Sequence, residues 1–145
     1  MPIRCEIVSQ DRQVFSGEVD IIVLPGTSGQ MGILPHHTPL LTTLQYGIIT
    51  VRKGKEEEHF TVSGGIAEVQ PDQVTVLATA CENILEIDLD RAEEARKRAD
   101  ESLKNLAKLP KEQILAEQAA LRRSDLRINA VRRFRPGKRI PSTHR

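Results

Sequence analysis

The chain changes character once, between residues 86 and 87, and that break limits what it can fold into. Residues 1–86 hold 26 Val, Ile or Thr, 8 of the 9 Gly and 3 Ala, whereas residues 87–145 hold 6, 1 and 8. β-Branched side chains are stiff at χ1 and suit a pleated surface; Ala and long unbranched side chains suit helices. The first part therefore reads as all-β and the second as all-α. Charge divides at the same place. Residues 1–86 carry 5 Lys/Arg and 11 Asp/Glu, net −6, residues 87–145 carry 16 and 9, net +7, and the two sum to the overall +1. Two electrical halves suggest two jobs.

Several function classes fall away on composition. At 39% hydrophobic residues the chain is too apolar for wholesale disorder, and at 3% aromatics with no Trp it lacks the flat rings that single-stranded nucleic acid and sugars stack on. The start, Met1 to Glu6, has neither a signal-peptide apolar core nor an Arg/Ser-rich presequence. The uncharged stretch Ile21–Val51 contains Pro25, Pro35, Pro39 and four Gly, so it cannot be a spanning helix. Cys5 and Cys81 belong to no C-x-x-C unit and read as reduced, half-buried thiols. A soluble protein is expected.

Alternation in the first part predicts strands at Ile3–Ile7, Val19–Leu24, Leu40–Leu44, Ile48–Arg52, His59–Val62, Ile66–Val69 and Val74–Leu77. The turns between them fall at Ser9–Gln13, Pro25-Gly26, Gly47, Lys53-Gly54-Lys55, Gly64-Gly65 and Pro71-Asp72. Short strands with turn signals at this spacing indicate a sandwich or barrel rather than βαβ units. The second part opens at Asp88-Leu89-Asp90. Asp90 with Glu93 fits a capping box, with Asp88 as an alternative cap. Ala92, Ala95, Ala99, Leu103 and Leu106 then form a narrow apolar stripe, and Leu109-Pro110 ends the helix. A second helix runs from about Lys111 to Phe134, with Ile114, Leu121 and Ile128 a heptad apart and Leu115, Ala119, Leu126 and Ala130 beside them. The two make an antiparallel hairpin. After Pro136-Gly137 a basic tail, residues 135–145, is expected to be disordered.

No catalytic constellation stands out. There is no G-x-x-x-x-G-K-[ST] loop, and Gly26, Gly29 and Gly32 are followed by prolines rather than a helix, so they read as turn glycines. His36-His37 suggests a metal, but adjacent residues on extended chain point apart and no Cys, Asp or Glu follows within ten residues. His59 lies in a strand without a Ser or Cys to activate. From Arg122 to Arg145 there are nine Lys/Arg and one acid, Asp125. Such a segment is a solvated face, a phosphate-binding arm or a docking surface for an acidic protein; the single aromatic, Phe134, favours protein over single-stranded nucleic acid.

Four stretches resemble one family, in its order: Gly29-Gln30-Met31-Gly32-Ile33-Leu34-Pro35-His36-His37-Thr38-Pro39-Leu40, then Val62-Ser63-Gly64-Gly65, Val74–Ala78, and Ile87-Asp88-Leu89-Asp90-Arg91-Ala92. They are similar to the G-x-x-G-x-L-x-x-H-x-P-L segment, the V-S-G-G junction, the last sandwich strand and the [IL]-D-x-x-R-A helix start of epsilon subunits of bacterial and chloroplast F-type ATP synthases. The resemblance implies a flattened antiparallel β-sandwich of about ten strands over residues 1–86, followed by a regulatory two-helix hairpin over 87–134. It implies no catalytic residues and no required cofactor. The sandwich would bind the gamma subunit and the c-ring, coupling proton-driven rotation to ATP synthesis. The hairpin, when extended, would reach the catalytic alpha and beta subunits and inhibit ATP hydrolysis. The place implied is the cytoplasmic side of the bacterial membrane, peripherally bound, with no nucleic acid.

Some family members bind regulatory ATP in the folded hairpin, and the residues carried over are Glu82, Asp88, Arg91, Arg123 and Arg127. Arg123 and Arg127, four apart, lie about 40° apart around a helix and can face one phosphate chain, while Asp125 lies about 200° from Arg123. The plain alternative is that Asp88 caps a helix and the arginines are solvated. The competing function is a β-sandwich module whose basic helical arm holds nucleic acid. The tail after Phe134 departs from the family pattern.

Overall fold

The computed structural model describes residues 2–134. Eight strands come first: β1 Ile3–Val8, β2 Gln13–Val19, β3 Ile21–Gly26, β4 Gly29–Ile33, β5 Leu40–Lys53, β6 Glu56–Val69, β7 Gln73–Ala78 and β8 Cys81–Asn83. A 3-10 turn, Ile84–Glu86, leads into helix α1, Leu89–Leu103, and after a second 3-10 turn, Leu106–Lys108, into α2, Lys111–Phe134. The strands hydrogen-bond in the order β2-β1-β7-β6-β5-β3-β4, with β8 added against β6. All pairings are antiparallel except β1 with β7, which is parallel.

The sheet closes over itself because β5 and β6 are long and bend. Along one side of β6, residues 60–62 pair with β8 and residues 65–69 with β7. Where one run gives way to the other stand Gly64 and Gly65, the latter the first residue of the β7 run, at φ +89° and +139°. Only glycine takes such angles freely, so the Gly-Gly pair sets the fold-over point. Strand β2 then lies against β5 and β8, and Phe15 of β2 meets Phe60 of β6 edge-on, with centroids 5.7 Å apart. The alternating apolar residues of β1, Ile3, Cys5 and Ile7, join Ile22, Leu24, Ile49, Val51, Val62, Val74 and Val76 in one core drawn wholly from residues 3–81. Burial pushes the Cys5 thiol far up and that of Cys81 to about 12, so both stay protonated and inert at neutral pH.

Several sequence expectations need correction. Gln13–Val19 is a strand, hidden from the alternation rule because Val14 to Gly17 are all buried, two layers enclosing them. Gly29–Ile33 is likewise a strand, paired with β3, rather than turn. Leu40–Leu44 and Ile48–Arg52 are one strand, as are His59–Val62 and Ile66–Val69, so eight strands stand where about ten were expected. Asp88, not Asp90, caps α1: its carboxylate accepts the Arg91 N–H at 3.2 Å. Helix α1 stops at Leu103, before Leu109-Pro110. Leu115, placed in the apolar stripe, is 59% exposed. The tail 135–145 lies outside the described residues.

Candidate functional site

Helix α2 carries the contacts between hairpin and sandwich. Its second half must present three kinds of side chain to β5, β6 and the 3-10 turn at Ile84–Glu86, and the sequence supplies them one turn or more apart. Arg122 lies over the Tyr46 ring, 4.2 Å from its centroid. Arg127 Nε sits 2.6 Å from Glu82 Oε1. Ala130 and Val131 pack with Ile84 and Ile87, and with Ile48 of β5. Phe134 stacks on His59 at 3.9 Å and 23°. Cation–π, half-exposed ionic and aromatic contacts of these kinds each contribute about 1 kcal/mol. The attachment is a small apolar cluster, separate from the sandwich core, with individual polar and ring contacts beside it.

The linker is fixed more firmly. Glu58 and Asn83, both 2% exposed, face each other, and Asn83 Nδ2 donates to Glu58 Oε1 at 2.6 Å. Asn83 Oδ1 meanwhile accepts the Leu85 N–H at 2.9 Å and caps the 3-10 turn. Helix α1 is clasped to α2 by Arg96 with Asp125 and by Arg132 with Glu93 at 3.1 Å.

Between α2, the β1–β2 turn and strands β6 and β8 opens a cleft of about 510 Å³. Glu82, Arg123 and Arg127 line it, with hydroxyls from Thr61, Ser63 and Ser124. The structure thus brings together three of the five residues singled out from the sequence. Asp88 and Arg91 are not among the walls: Asp88 holds the first turn of α1, and Arg91 is exposed beside it. Asp125 does point away from Arg123, toward Arg96. Arg127 is not uncompensated, however, since Glu82 reaches it from the sandwich, a neighbour invisible to helical geometry alone. Arg127 Nη2 also donates to Glu82 Oε2 at 3.5 Å, so Glu82 takes the Nε–Nη2 edge of the guanidinium. A guanidinium has five N–H donors, and those away from that edge are left for phosphate oxygens.

Two features of the site carried no sequence signal. Arg12, in the β1–β2 turn, reaches the same cleft while bonded to Glu86 at 3.0 Å. His59, an ordinary strand residue in sequence, becomes the seat of Phe134, with Thr50 Oγ1 at 2.9 Å from its Nδ1. Burial lowers the His59 pKa from its usual 6.5; Glu57 acts against this, and Arg133 and Arg52 act with it. A docked helix that depresses this pKa is itself weakened by protonation. The part of the shift that the docked helix causes gives a contribution to docking that is full above pH 6.5 and is lost as pH falls from there through the lowered value. Amide exchange across residues 128–134 should therefore accelerate as pH drops below about 6.5, beyond the intrinsic pH effect, and His59→Gln should remove that excess. An excess that survives in the Gln variant assigns the titration elsewhere.

Among the described residues no cluster of three or more His, Cys, Asp or Glu could hold a metal, and no helix is long and apolar enough to cross a membrane. Nor do the basic residues of α2 form an open stripe. Arg127 and Arg132 meet acids, while Arg122 and Arg133 lie over the rings of Tyr46 and Phe134.

Comparison with known proteins gives a consistent picture. Residues 2–84 match the β-sandwich domain of the ATP synthase delta/epsilon chain. A protein named ATP synthase epsilon chain from Dehalococcoides mccartyi is 46% identical over 134 residues, covering 92% of this chain and 94% of the relative. One of the same name from Bordetella avium is 42% identical over the same shares. Among solved structures, a chain of the Euglena gracilis mitochondrial ATP synthase OSCP/F1/c-ring assembly superposes with a TM-score of 0.76 at 22% identity, covering 90% of this chain and 81% of that one. A chain of the Tetrahymena thermophila mitochondrial ATP synthase central stalk/c-ring gives 0.57 at 14% identity, over 89% and 96%. At such identities these two speak for the fold alone.

Proposed function

Since the chain belongs to the ATP synthase delta/epsilon family, we propose that it is the central-stalk rotor subunit of a bacterial F-type ATP synthase, without catalytic residues, and that its hairpin restrains ATP hydrolysis. The supporting observation is the contrast between the two parts. The sandwich has a core of its own, drawn from residues 3–81, while the hairpin is joined to it by a second, much smaller apolar cluster and a few polar and ring contacts. A firm body with a releasable arm suits a part that transmits torque and also regulates.

The sandwich offers a docking face for the gamma subunit and c-ring. Thr43 of β5, Ile66 of β6 and Leu77 of β7 pair across three strands, and Leu41 lies two residues from Thr43 on the same face. Leu41, Ile66 and Leu77 are 68%, 40% and 50% exposed. Adjacent apolar side chains left in water mark an interface. The subunit would then sit peripherally on the cytoplasmic side of the membrane. The extended hairpin would meet the alpha and beta subunits. Four arginines of α2, Arg122, Arg127, Arg132 and Arg133, already have partners within the chain, which counts against the alternative of a nucleic-acid arm.

Regulatory ATP belongs to the same proposal. Arg123 and Arg127 would hold the phosphates, Glu82 would orient Arg127 or the ribose, and Asp88 with Arg91 would set the start of α1 near the ligand. High ATP would then keep the hairpin folded and hydrolysis permitted; low ATP would free it to inhibit.

The test is a variant ending at Ile87, assembled into the complex. It should stay folded, co-purify with gamma and support synthesis, while hydrolysis rises. Unchanged hydrolysis would remove the inhibitory role, and failure to bind gamma would remove the rotor role.

A further inference from the structure

A ligand can bias a conformational equilibrium only by the difference in its affinity for the two states. Arg123 and Arg127 both lie on α2, so phosphate contacts to them alone do not favour the docked hairpin, in which Glu82 already engages Arg127. The cleft holds one further guanidinium, that of Arg12, and it comes from the other body. Arg12 lies in the β1–β2 turn of the sandwich and faces the same 510 Å³ cleft as Arg123 and Arg127. Its position is secured from behind, since its Nη2 donates to Glu86 Oε2 at 3.0 Å. That pair is exposed, with side-chain accessibilities of 53% and 38%, so the guanidinium can be shared with a second anion at little desolvation cost. The backbone beside it is ordered by Ser9, whose N–H and Oγ–H both donate to the Arg12 carbonyl at 2.9 and 3.2 Å.

We propose that Arg12 is the sandwich-side phosphate contact of the cleft, and that a polyphosphate anion bridged between Arg12 and the pair Arg123 and Arg127 is what couples nucleotide binding to hairpin docking. This rests on the reading of the cleft as an ATP site and adds the residue that makes ATP state-selective. Glu82 cannot fill that role for the phosphates: it is an anion on the same sandwich side, already against Arg127. The bridging geometry uses donors from both bodies on one ligand, so it exists only while α2 lies on the sandwich. A planar guanidinium, with several fixed donors, fits phosphate oxygens in a way that a single ammonium does not.

The experiment uses the full chain and ATP as the probe, with calorimetry for affinity and amide exchange across residues 123–131 for docking. Wild type is expected to bind ATP and to show slower exchange when ATP is present. Arg12→Ala should weaken binding about tenfold, equivalent to about 1.4 kcal/mol. It should also lose the ATP-dependent slowing even at ATP concentrations that restore occupancy. Arg12→Lys should recover part of both. Arg123→Ala should weaken binding as well, which marks the phosphate site independently of Arg12. If Arg12→Ala binds and protects like wild type while Arg123→Ala does not bind, the bridge is wrong and the ATP site stands. If wild type binds no ATP at millimolar concentration, the ATP reading fails and the bridge fails with it. The exposed position of Arg12 on a turn makes Arg12→Ala a fold-neutral change, checked by an unaltered far-ultraviolet spectrum and melting temperature.

Discussion

Gly65→Ala is expected to destabilise the sandwich by about 3–5 kcal/mol, a large part of the roughly 5–15 kcal/mol that holds a domain of this size. Two causes add. Gly65 has φ +139°, where an L side chain is strained, and a Cβ there would sit 2.8 Å from the Ala78 Cα and closer still to the Leu77 carbonyl oxygen. Those atoms belong to backbone of β7, which cannot turn away as a flexible side chain could. The strand would have to leave β6 at the register pairs Gly65–Ala78 and Ile66–Leu77, next to the point where the sheet folds over. Gly64→Ala, one residue earlier, is the control. Its φ is +89°, but the nearest atom to a new Cβ is Thr79 Oγ1 at 3.8 Å, so only backbone strain of about 1–2 kcal/mol applies. Gly54→Asn should be close to neutral, since φ +61° suits Asn and nothing lies within 4 Å. Urea denaturation of the three variants checks the order. Equal losses at Gly64 and Gly65 would mean that strain alone, not the approach of β7, makes the glycine pair necessary.

The second large effect concerns the cleft. Replacing Arg123 and Arg127 together by Ala should remove measurable ATP binding. Each charge-assisted contact is worth about 1.5–3 kcal/mol, so losing two lowers affinity by about 10² to 10⁴. The two arginines should not behave alike. Arg127 is against Glu82, with side chains 31% and 29% exposed, and its removal leaves a half-buried carboxylate without its cation. Arg127→Ala should therefore loosen hairpin docking even without nucleotide, whereas Arg123→Ala should affect the ligand alone. Ligand-linked stabilisation of the docked form amounts to about 2.7 kcal/mol at a hundredfold excess over Kd. That exceeds any single one of the polar and ring contacts, about 1 kcal/mol each, that help the apolar cluster hold α2 down. Calorimetry with the double variant, beside amide exchange of α2 in each single variant, separates the two effects. Full binding by the double variant would take the nucleotide away from this cleft.

Much of the architecture was open to reading because it rests on local rules. The change from β-branched to Ala-rich composition marks where strands give way to helices, and α2 runs from Lys111 to Phe134 as its periodicity and the flanking prolines indicate. What escaped were the segments whose pattern is set by neighbours. In β2 the run Val14 to Gly17 is buried throughout, so alternation disappears. Strand β4, with two glycines in five residues, has almost no intrinsic strand preference and exists because β3 offers it an edge. The capping-box pattern favoured Asp90, with Asp88 as the alternative; the linker pinned by Asn83 and Glu58 delivers the chain so that Asp88 is the one outside the first turn.

The same division holds for the site. Sequence alone determined the two-part build, the charge asymmetry and the spacing that puts Arg123 and Arg127 on one side of a helix, because composition and a 3.6-residue period act over short stretches. Only the tertiary structure decided which residues meet them. Glu82 opposite Arg127, Arg12 across the cleft and His59 beneath Phe134 lie 45, over 100 and 75 positions from their partners. No local rule relates positions so far apart; they come together because β5 and β6 bend at the glycine pair and a buried Asn–Glu contact aims the hairpin back onto the sheet.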